Sequence, residues 1–406
     1  MEFIEFNNTN IVYENVENTP RTAVYLYLST EKQTKEGVHT MLGNLLLQGT
    51  KTKTAEEIAT ELENHGIEVT VDSRADFLKV SIICLDEDLE FALNSVNDFM
   101  QNSTFETLNK EIFKFKNETT ASMDTPSAKA SDTYYKELFK GHKYGITNTK
   151  ILETIDDVTI NDVKNYQKEL LSGRKIISVA TGIKDKEKLF NLLTVSLPFM
   201  QKNDVEIKYN PAPKNKGNLV KIEKNDAKQA QIFQGWVVDG INTKDCAKLN
   251  VLNSLLGGAG LSSRLFVELR DKKGLAYTVR SSYKTLKDGA HFTLYIGTEP
   301  KNIKKSLNGF KTEIQRVIDE PPTDIELQGA KENFIGRYKY FYTQTNAQIA
   351  SVNGWNYITG LDFSYNEKLL DEVMKVTKED IIETVKKYLL AEPTTVVLAP
   401  KEYLDF

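Results

Sequence analysis

The sequence shows two patterns of hydrophobic and polar positions. Residues 67–85 place apolar side chains at every second position, which predicts a pair of strands, and the apolar run at 22–30 predicts another. Residues 38–46 instead repeat apolar side chains at i, i+3 and i+4, which predicts an amphipathic helix. Strand pairs separated by helices favour an α+β layer, with a mainly antiparallel mixed sheet and helices on one face, over a single parallel sheet.

The pattern occurs twice. In the first half a helix-like run at 44–50 precedes a helix that Gly66 ends and then the strand pair. In the second half a similar run at 253–260 precedes a helix that Gly274 ends, and the strand pair 275–297 follows. The two glycines lie 208 residues apart in a chain of 406 residues. The sequence therefore predicts two homologous α/β domains.

The stretch between the halves has no apolar periodicity. It reads DVEIKYNPAPKNKGN from residue 204 to 218, and its Pro, Asn, Lys and Gly residues are typical of a linker. We therefore predict an N-terminal domain at 1–204, a linker at 205–217 and a C-terminal domain at 218–406.

Composition and charge exclude several classes of protein. The net charge of −5 and the lack of a basic stripe argue against nucleic-acid binding. No apolar run approaches the roughly 18 residues of a membrane helix and no signal peptide is visible, so we expect a cytoplasmic protein without a membrane partner. The only two cysteines, Cys84 and Cys246, lie far apart in ordinary strand-like and helix-like contexts, which argues against a disulfide framework and a cysteine metal site. The four histidines never occur as HxxxH or HxxEH, which argues against a catalytic zinc.

Four segments, in order along the chain, carry a family resemblance. They are EGVHTMLGNLLLQGTKTKT at 36–54, KNETTASMDTPSAKA at 116–130, FKGHKYG at 139–145 and GLSSRLFVELRDKKGLAYTVRSSY at 260–283. They are similar to the pitrilysin/insulinase family of zinc peptidases, which includes mitochondrial processing peptidase. Lys143 stands where the family usually has proline. The resemblance spans the whole chain and implies the family's inverted-motif metallopeptidase fold.

The chain departs from the family at the zinc motif. Aligned on the following QGT, Thr40 and Asn44 occupy the positions of the two zinc-binding histidines, and Gly43 occupies that of the general base. A hydroxyl, an amide and a missing side chain cannot hold Zn²⁺. The resemblance places the family's third ligand at Glu118 and its supporting acid at Glu111, which we interpret as vestigial; a solvated or salt-bridged helix face is favoured over residual metal binding.

Two neighbouring residues leave alternatives open. His39 could suggest a shifted metal site, but a surface or packed histidine is favoured because position 43 carries no ligand. Gly43 in a helix interior costs roughly 1 kcal/mol relative to alanine. Its presence indicates either relaxed constraint after loss of the base or the close approach of another backbone.

The resemblance also implies a substrate-binding pair in the second half. An arginine at a helix end and a tyrosine seven residues later occur here as Arg270 and Tyr277. A guanidinium suits a peptide carbonyl or carboxylate, and a phenol hydroxyl can donate to an oxyanion. The alternative is a salt bridge from Arg270 to Glu268 or Asp271, with Tyr277 as an ordinary sheet aromatic.

These features lead to a functional hypothesis. We expect a pseudo-peptidase that is inactive alone: the non-catalytic, substrate-binding subunit of a heterodimeric zinc processing peptidase. It would bind oligopeptides or unfolded peptides, and its Arg270 and Tyr277 would complete the active site of a homologous partner that carries HxxEH and the zinc. No cofactor is expected in this chain. The alternatives are a scaffold subunit without a peptidase role and a non-catalytic peptide-binding homodimer.

Overall fold

The chain folds into two compact units. The computed structural model describes residues 1–17, 19–30, 35–203, 205–214 and 216–406. Unit 1 comprises residues 1–117, 150–208 and 339–365, and unit 2 comprises residues 118–149, 209–338 and 366–406. Asp204 and Asn215, at the end of the predicted N-terminal domain and inside the predicted linker, lie outside the described residues.

The strands form two separate sheets. Within the described residues they are β1 (Glu2–Phe6), β2 (Thr9–Asn15), β3 (Arg21–Ser29), β4 (Glu68–Arg74), β5 (Phe77–Leu85), β6 (Lys175–Thr181), β7 (Asn218–Glu223), β8 (Ala230–Val238), β9 (Ala276–Leu286), β10 (Gly289–Thr298) and β11 (Thr394–Ala399). The strand order is β1-β2-β6-β3-β5-β4 in unit 1 and β7-β11-β8-β10-β9 in unit 2.

Helices pack against both sheets. The described α-helices are α1 (Val38–Leu45), α2 (Ala55–Asn64), α3 (Leu89–Asn102), α4 (Leu108–Met123), α5 (Pro126–Leu138), α6 (Asn148–Leu152), α7 (Ile160–Ser172), α8 (Lys186–Ser196), α9 (Cys246–Asn253), α10 (Ile303–Asp319), α11 (Asp324–Tyr342), α12 (Asn346–Ile358), α13 (Tyr365–Lys375) and α14 (Lys378–Tyr388). Two π-helical segments occur at Ser254–Gly258 and Phe266–Lys272. In the described part of the chain, no helix has both the length and the apolar character needed to cross a membrane.

Local sequence explains where several of these helices begin and end. Capping boxes, in which an N-cap threonine and the residue three positions later bond each other's backbone N–H, begin α2, α7, α12 and α14. Gly66 and Gly274 adopt left-handed φ values of 62° and 60° after their helices. A residue with a Cβ disfavours this conformation, which is why glycine ends both helices.

The two sheets repeat one topology. Apart from β1, each begins with a parallel pair, β2 with β6 and β7 with β11, and continues through three antiparallel pairs. This confirms the predicted α+β class with mainly antiparallel mixed sheets. The expectation that helices cover one face only is wrong for unit 1. There α12 packs on the face that carries Tyr27, whereas α1 approaches Leu78 on the opposite face.

Each unit takes one helix from the other half of the sequence. Helix α12, from the second half, packs on β3 and β6 in unit 1, and α5, from the first half, packs on β8 and β11 in unit 2. The compact units are therefore not identical to the two halves of the repeat. The boundaries at 1–204 and 218–406 follow the repeat, whereas the packing follows the exchanged helices.

Each of the two helices that pack in the unit of the other half, α5 and α12, does so through a contact between a tyrosine ring and a glycine. In unit 1 a Cβ at Gly354 of α12 would lie 2.3 Å from Cε2 of the buried Tyr27, whose hydroxyl donates to the Ser351 carbonyl at 2.9 Å. In unit 2 the roles are reversed: Tyr134 of α5 sits over Gly235 of β8, where a Cβ would lie 1.9 Å from the Tyr134 hydroxyl. Each glycine leaves the space that a tyrosine fills.

Part of the predicted linker is held against unit 2. The Asn210 N–H donates to Asp288 Oδ1 at 3.1 Å, and the Ala212 N–H donates to the Asp288 carbonyl at 2.8 Å. His142 donates from Nε2 to the Asn210 carbonyl at 2.9 Å, and Lys143, the residue at the family's proline position, pairs with Asp288 at 2.6 Å. The segment around Asn210 is therefore anchored by hydrogen bonds, although its composition is that of a linker.

Replacing Gly354 with alanine tests the packing of α12. The added methyl would clash with the buried Tyr27 ring, so we expect Gly354→Ala to lower the free energy of unfolding by about 1–3 kcal/mol. Gly329→Ala in α11 is the matched control, since no atom lies within 4 Å of the added Cβ; it should raise stability by up to about 1 kcal/mol. Urea unfolding measures both, and equal effects of the two changes would contradict this packing.

Candidate functional site

The region corresponding to the family's zinc motif lies on α1. Thr40 and Asn44 are four residues apart and share one helix face. Thr40 is half-buried and Asn44 is exposed, whereas Gly43 is buried among the helix residues that face the core. The helix thus presents a hydroxyl and an amide at the two positions that the resemblance assigns to zinc-binding histidines.

The space beside Gly43 is filled by Ser73 of β4. A Cβ at position 43 would lie 2.0 Å from Ser73 Oγ and 3.2 Å from Ser73 Cβ. The Ser73 hydroxyl donates to the His39 carbonyl at 3.3 Å, which holds β4 against α1. Of the two explanations for this glycine, the structure therefore favours close approach, although a side chain and not a backbone makes the contact.

The two acidic residues of α4 differ in environment. Glu111 is buried and Glu118 is exposed, so a single solvated face does not describe both. Across the described residues, no group of three or more His, Cys, Asp or Glu side chains is placed to hold a metal ion. Because zinc in proteins takes thiolate, imidazole or carboxylate ligands, the hydroxyl at Thr40 and the amide at Asn44 do not fit it.

His39 is a packed core residue. Its ring is buried and meets the Tyr166 ring edge-on, and the Tyr166 hydroxyl lies 3.2 Å from Nδ1. Desolvation by burial lowers the pKa of His39 from 6.5 to about 4. The side chain is therefore neutral at pH 7 and faces the core, where it cannot serve a shifted metal site.

In unit 2, Arg270 lies on a π-helix and not on the predicted α-helix. The segment Phe266–Lys272 carries the i to i+5 bond of this geometry, from the Lys273 N–H to the Glu268 carbonyl at 3.2 Å. The Arg270 Cζ lies 4.4 Å from the ring centroid of Phe266 and 4.8 Å from that of Tyr277. The guanidinium thus contacts two aromatic rings at cation–π distance.

Tyr277 occupies a β-bulge. Gly297 of β10 lies opposite Thr278, but the next residue, Thr298, lies opposite Ala276, so Tyr277 is an extra residue in β9. Its side chain is 78% exposed. A bulge redirects a side chain out of the regular alternation, which explains how a tyrosine near the start of a strand turns toward Arg270.

The salt-bridge alternative for Arg270 does not hold. Glu268 pairs instead with Lys272 at 2.7 Å and with Arg316 at 2.9 Å. Within the described residues, the Arg270 guanidinium has no carboxylate or hydrogen-bond acceptor. Its N–H donors are therefore available to a ligand.

Sequence reasoning missed Phe266. The residue is buried and forms the inner contact of the Arg270 guanidinium. Its spacing of i, i+4 from Arg270 is the usual signal for two side chains that meet on a helix, and that spacing could have identified it.

Comparisons with known proteins identify the family. Residues 10–150 match the model described as insulinase (peptidase family M16), and residues 157–334 match the one described as peptidase M16 inactive domain. The chain belongs to peptidase family M16. This is the family that the four segments resemble. The chain itself lacks the HxxEH motif.

Relatives span nearly the whole chain. A Bacillus subtilis protein named "Uncharacterized zinc protease YmxG" is 25% identical and aligns over 97% of both chains. A Helicobacter pylori protein named "Non-peptidase homolog YmxG" is 24% identical over 97% of this chain and 92% of its own. A crystal structure from Pseudomonas fluorescens, described as a peptidase M16 inactive domain, has a TM-score of 0.89 at 19% identity and covers 98% of both chains. The structural match supports the M16 fold.

A double-mutant cycle tests the contact between Gly43 and Ser73. Gly43→Ala should destabilise the wild-type protein more than it destabilises the Ser73→Gly variant. The reason is that Ser73→Gly removes the two atoms, Ser73 Oγ and Cβ, that the added methyl would meet. We expect a coupling free energy of at least about 0.5 kcal/mol from urea unfolding. Additive effects would mean that Ser73 does not limit the residue at position 43.

The buried His39 makes stability depend on pH. Its pKa is about 4 in the folded chain and near 6.5 when unfolded, so between these values only the unfolded chain binds the proton. The contribution of His39 to stability is therefore full above pH 6.5 and is lost as the pH falls toward 4. Near pH 5, His39→Gln should flatten the dependence of the unfolding free energy on pH by up to about 1.4 kcal/mol per unit. An unchanged slope would contradict the burial of a neutral His39.

Proposed function

We propose that this chain is the non-catalytic, substrate-binding subunit of a heterodimeric zinc processing peptidase. Its partner would be a homologous M16 chain that carries HxxEH and, with it, the zinc. The observation that carries the proposal is the Arg270–Tyr277 pair, with a guanidinium that lies 4.8 Å from the tyrosine ring and has no acceptor in the described chain.

The chemistry of the first half supports a division of labour. Thr40, Gly43 and Asn44 offer no zinc ligand, and Ser73 fills the space beside the position of the general base. The Helicobacter pylori relative is named a non-peptidase homolog, which agrees with this assignment, whereas the Bacillus subtilis relative is named a zinc protease. Hydrolysis therefore requires a second chain.

The second half offers the means to bind a peptide. Strand β9, which carries Tyr277, is the edge of its sheet, and an edge strand can pair with an extended peptide. A peptide paired near the bulge would bring its carbonyl groups beside the Arg270 N–H donors. The Tyr277 hydroxyl would then donate to the oxygen that becomes negatively charged during attack on the peptide bond. Such donors contribute on the order of 10²–10³ in rate.

Reconstitution tests the proposal. The chain would be expressed with an HxxEH-bearing M16 chain of similar length from the same genome, and cleavage of a fluorogenic unfolded peptide would be measured for each chain and for the mixture. We expect the chain alone to be inactive with added zinc and the mixture to be active. Cleavage by the purified chain with stoichiometric bound zinc would refute the assignment.

Variants then test the role of the pair. Arg270→Ala and Tyr277→Phe should each lower kcat/KM of the heterodimer by about 10²–10³ without preventing association. Arg280→Ala is the matched control, because Arg280 lies on the same strand as Tyr277 but its guanidinium lies 4.9 Å from the ring of Tyr295. It should retain the wild-type rate, since strand addition uses the backbone of β9 and not this side chain. Full activity of both pair variants in an intact complex would favour the scaffold role.

A further inference from the structure

We infer that Phe266 and Thr298 are positioning residues that hold Arg270 and Tyr277 together. Both act through other residues: Phe266 contacts the guanidinium from inside the fold, and Thr298 fixes the turn that leads into the bulge. The catalytic consequence rests on the proposed function, whereas the geometric role can be tested in the isolated chain.

The pair depends on two local irregularities that follow one another in the chain. The π-helix Phe266–Lys272 inserts a residue into the helix before Gly274, and the bulge at Tyr277 inserts one into the strand after it. Either insertion alone would rotate only one of the two side chains. Their combination requires that the connection between helix and strand be fixed.

Thr298 fixes that connection. Its side chain is buried, and its hydroxyl donates to the Leu275 carbonyl at 2.5 Å. The Leu275 N–H in turn donates to the Leu269 carbonyl at 2.8 Å, which closes the end of the π-helix. Thr298 is also the residue at which the register between β9 and β10 shifts. One hydroxyl therefore links the helix end, the turn and the bulge.

Phe266 fixes the guanidinium. Tyr277 is 78% exposed, so few neighbours restrict its ring, whereas Phe266 is only 9% exposed and is packed in the core. Arg270 thus rests against one fixed ring and one ring that a ligand can reach. This arrangement limits the rotamers of Arg270 and reduces the entropy that would be lost when its N–H groups bind a peptide carbonyl.

The opposite side of the π-helix is anchored to α10. Glu268 pairs with Arg316, and Leu269 packs where a Cβ at Gly309 would lie 2.5 Å from its Cδ2. These contacts hold Glu268 and Leu269, the two residues that precede Arg270, against α10. The π-helix that carries Phe266 and Arg270 is therefore fixed to α10.

Nuclear magnetic resonance of the isolated chain tests the geometry without reference to catalysis. The chain has eight arginines, so selective arginine labelling gives a simple spectrum, in which Arg270→Lys assigns the Arg270 signals. We expect ring currents to shift the Arg270 δ protons upfield of their random-coil position. Phe266→Leu should remove most of this shift and Phe266→Tyr should keep it. Unshifted Arg270 signals in the wild-type chain would overturn the inference.

Kinetics of the heterodimer test the consequence. Phe266→Leu and Thr298→Val should each lower kcat about tenfold, with KM changed less than twofold, while Phe266→Tyr and Thr298→Ser restore the rate. Tyr295→Leu, which removes the ring beneath Arg280, is the matched control and should leave kcat unchanged. Equal losses in the conservative variants would overturn the positioning role. If Arg270→Ala itself retains full rate, the proposed function fails while the spectroscopic result on Phe266 stands.

Discussion

The packing of a tyrosine ring onto a glycine joins each sheet to a helix from the other half of the sequence, and on this contact the composition of the two compact units depends. In unit 1 the ring of Tyr27 requires glycine at position 354, and in unit 2 the ring of Tyr134 requires glycine at position 235. Both contacts join a sheet to a helix from the opposite half of the sequence. Neither sheet can therefore complete its core from its own half alone, and the two halves of the repeat must fold as one protein.

The candidate site depends instead on local irregularity. A helix and a strand there each contain one residue more than regular geometry would have. An extra residue in the helix and another in the strand turn Arg270 and Tyr277 toward each other across Gly274. The site is local to one unit and its backbone is tied by hydrogen bonds on both sides of the turn. Such a device can persist even where the zinc motif in the other half has been replaced.

The sequence predicts the regular parts of this fold well and the irregular parts poorly. The repeat correctly implied two sheets of one topology, because apolar periodicity reports which face of an element is buried. It could not assign α5 and α12 to sheets, since periodicity does not identify the surface that an apolar face meets. The π-helix around Arg270 and the bulge at Tyr277 each depend on one added residue. A single added residue shifts the phase of the apolar pattern only once, which is too small a signal to read from the periodicity. The contact between Ser73 and Gly43 could not be predicted either, because it joins positions 30 residues apart and periodicity does not report such contacts.

The two halves share one sheet topology but differ in how tightly the candidate positions are packed. Around Gly43 the structure is tightly packed, with Ser73 against α1 and His39 buried and neutral. The position that the family resemblance assigns to the general base therefore lies in the core. Around Arg270 the surface is less tightly packed. Tyr277 is exposed there and lies beside an arginine that no carboxylate in the described chain neutralises. Exposed cation–π contacts contribute only about 0.5–1 kcal/mol, which is a small part of the roughly 5–15 kcal/mol that typically stabilises a folded protein. The stability of unit 2 alone therefore gives little reason to retain this pair, whereas a ligand with acceptor groups would.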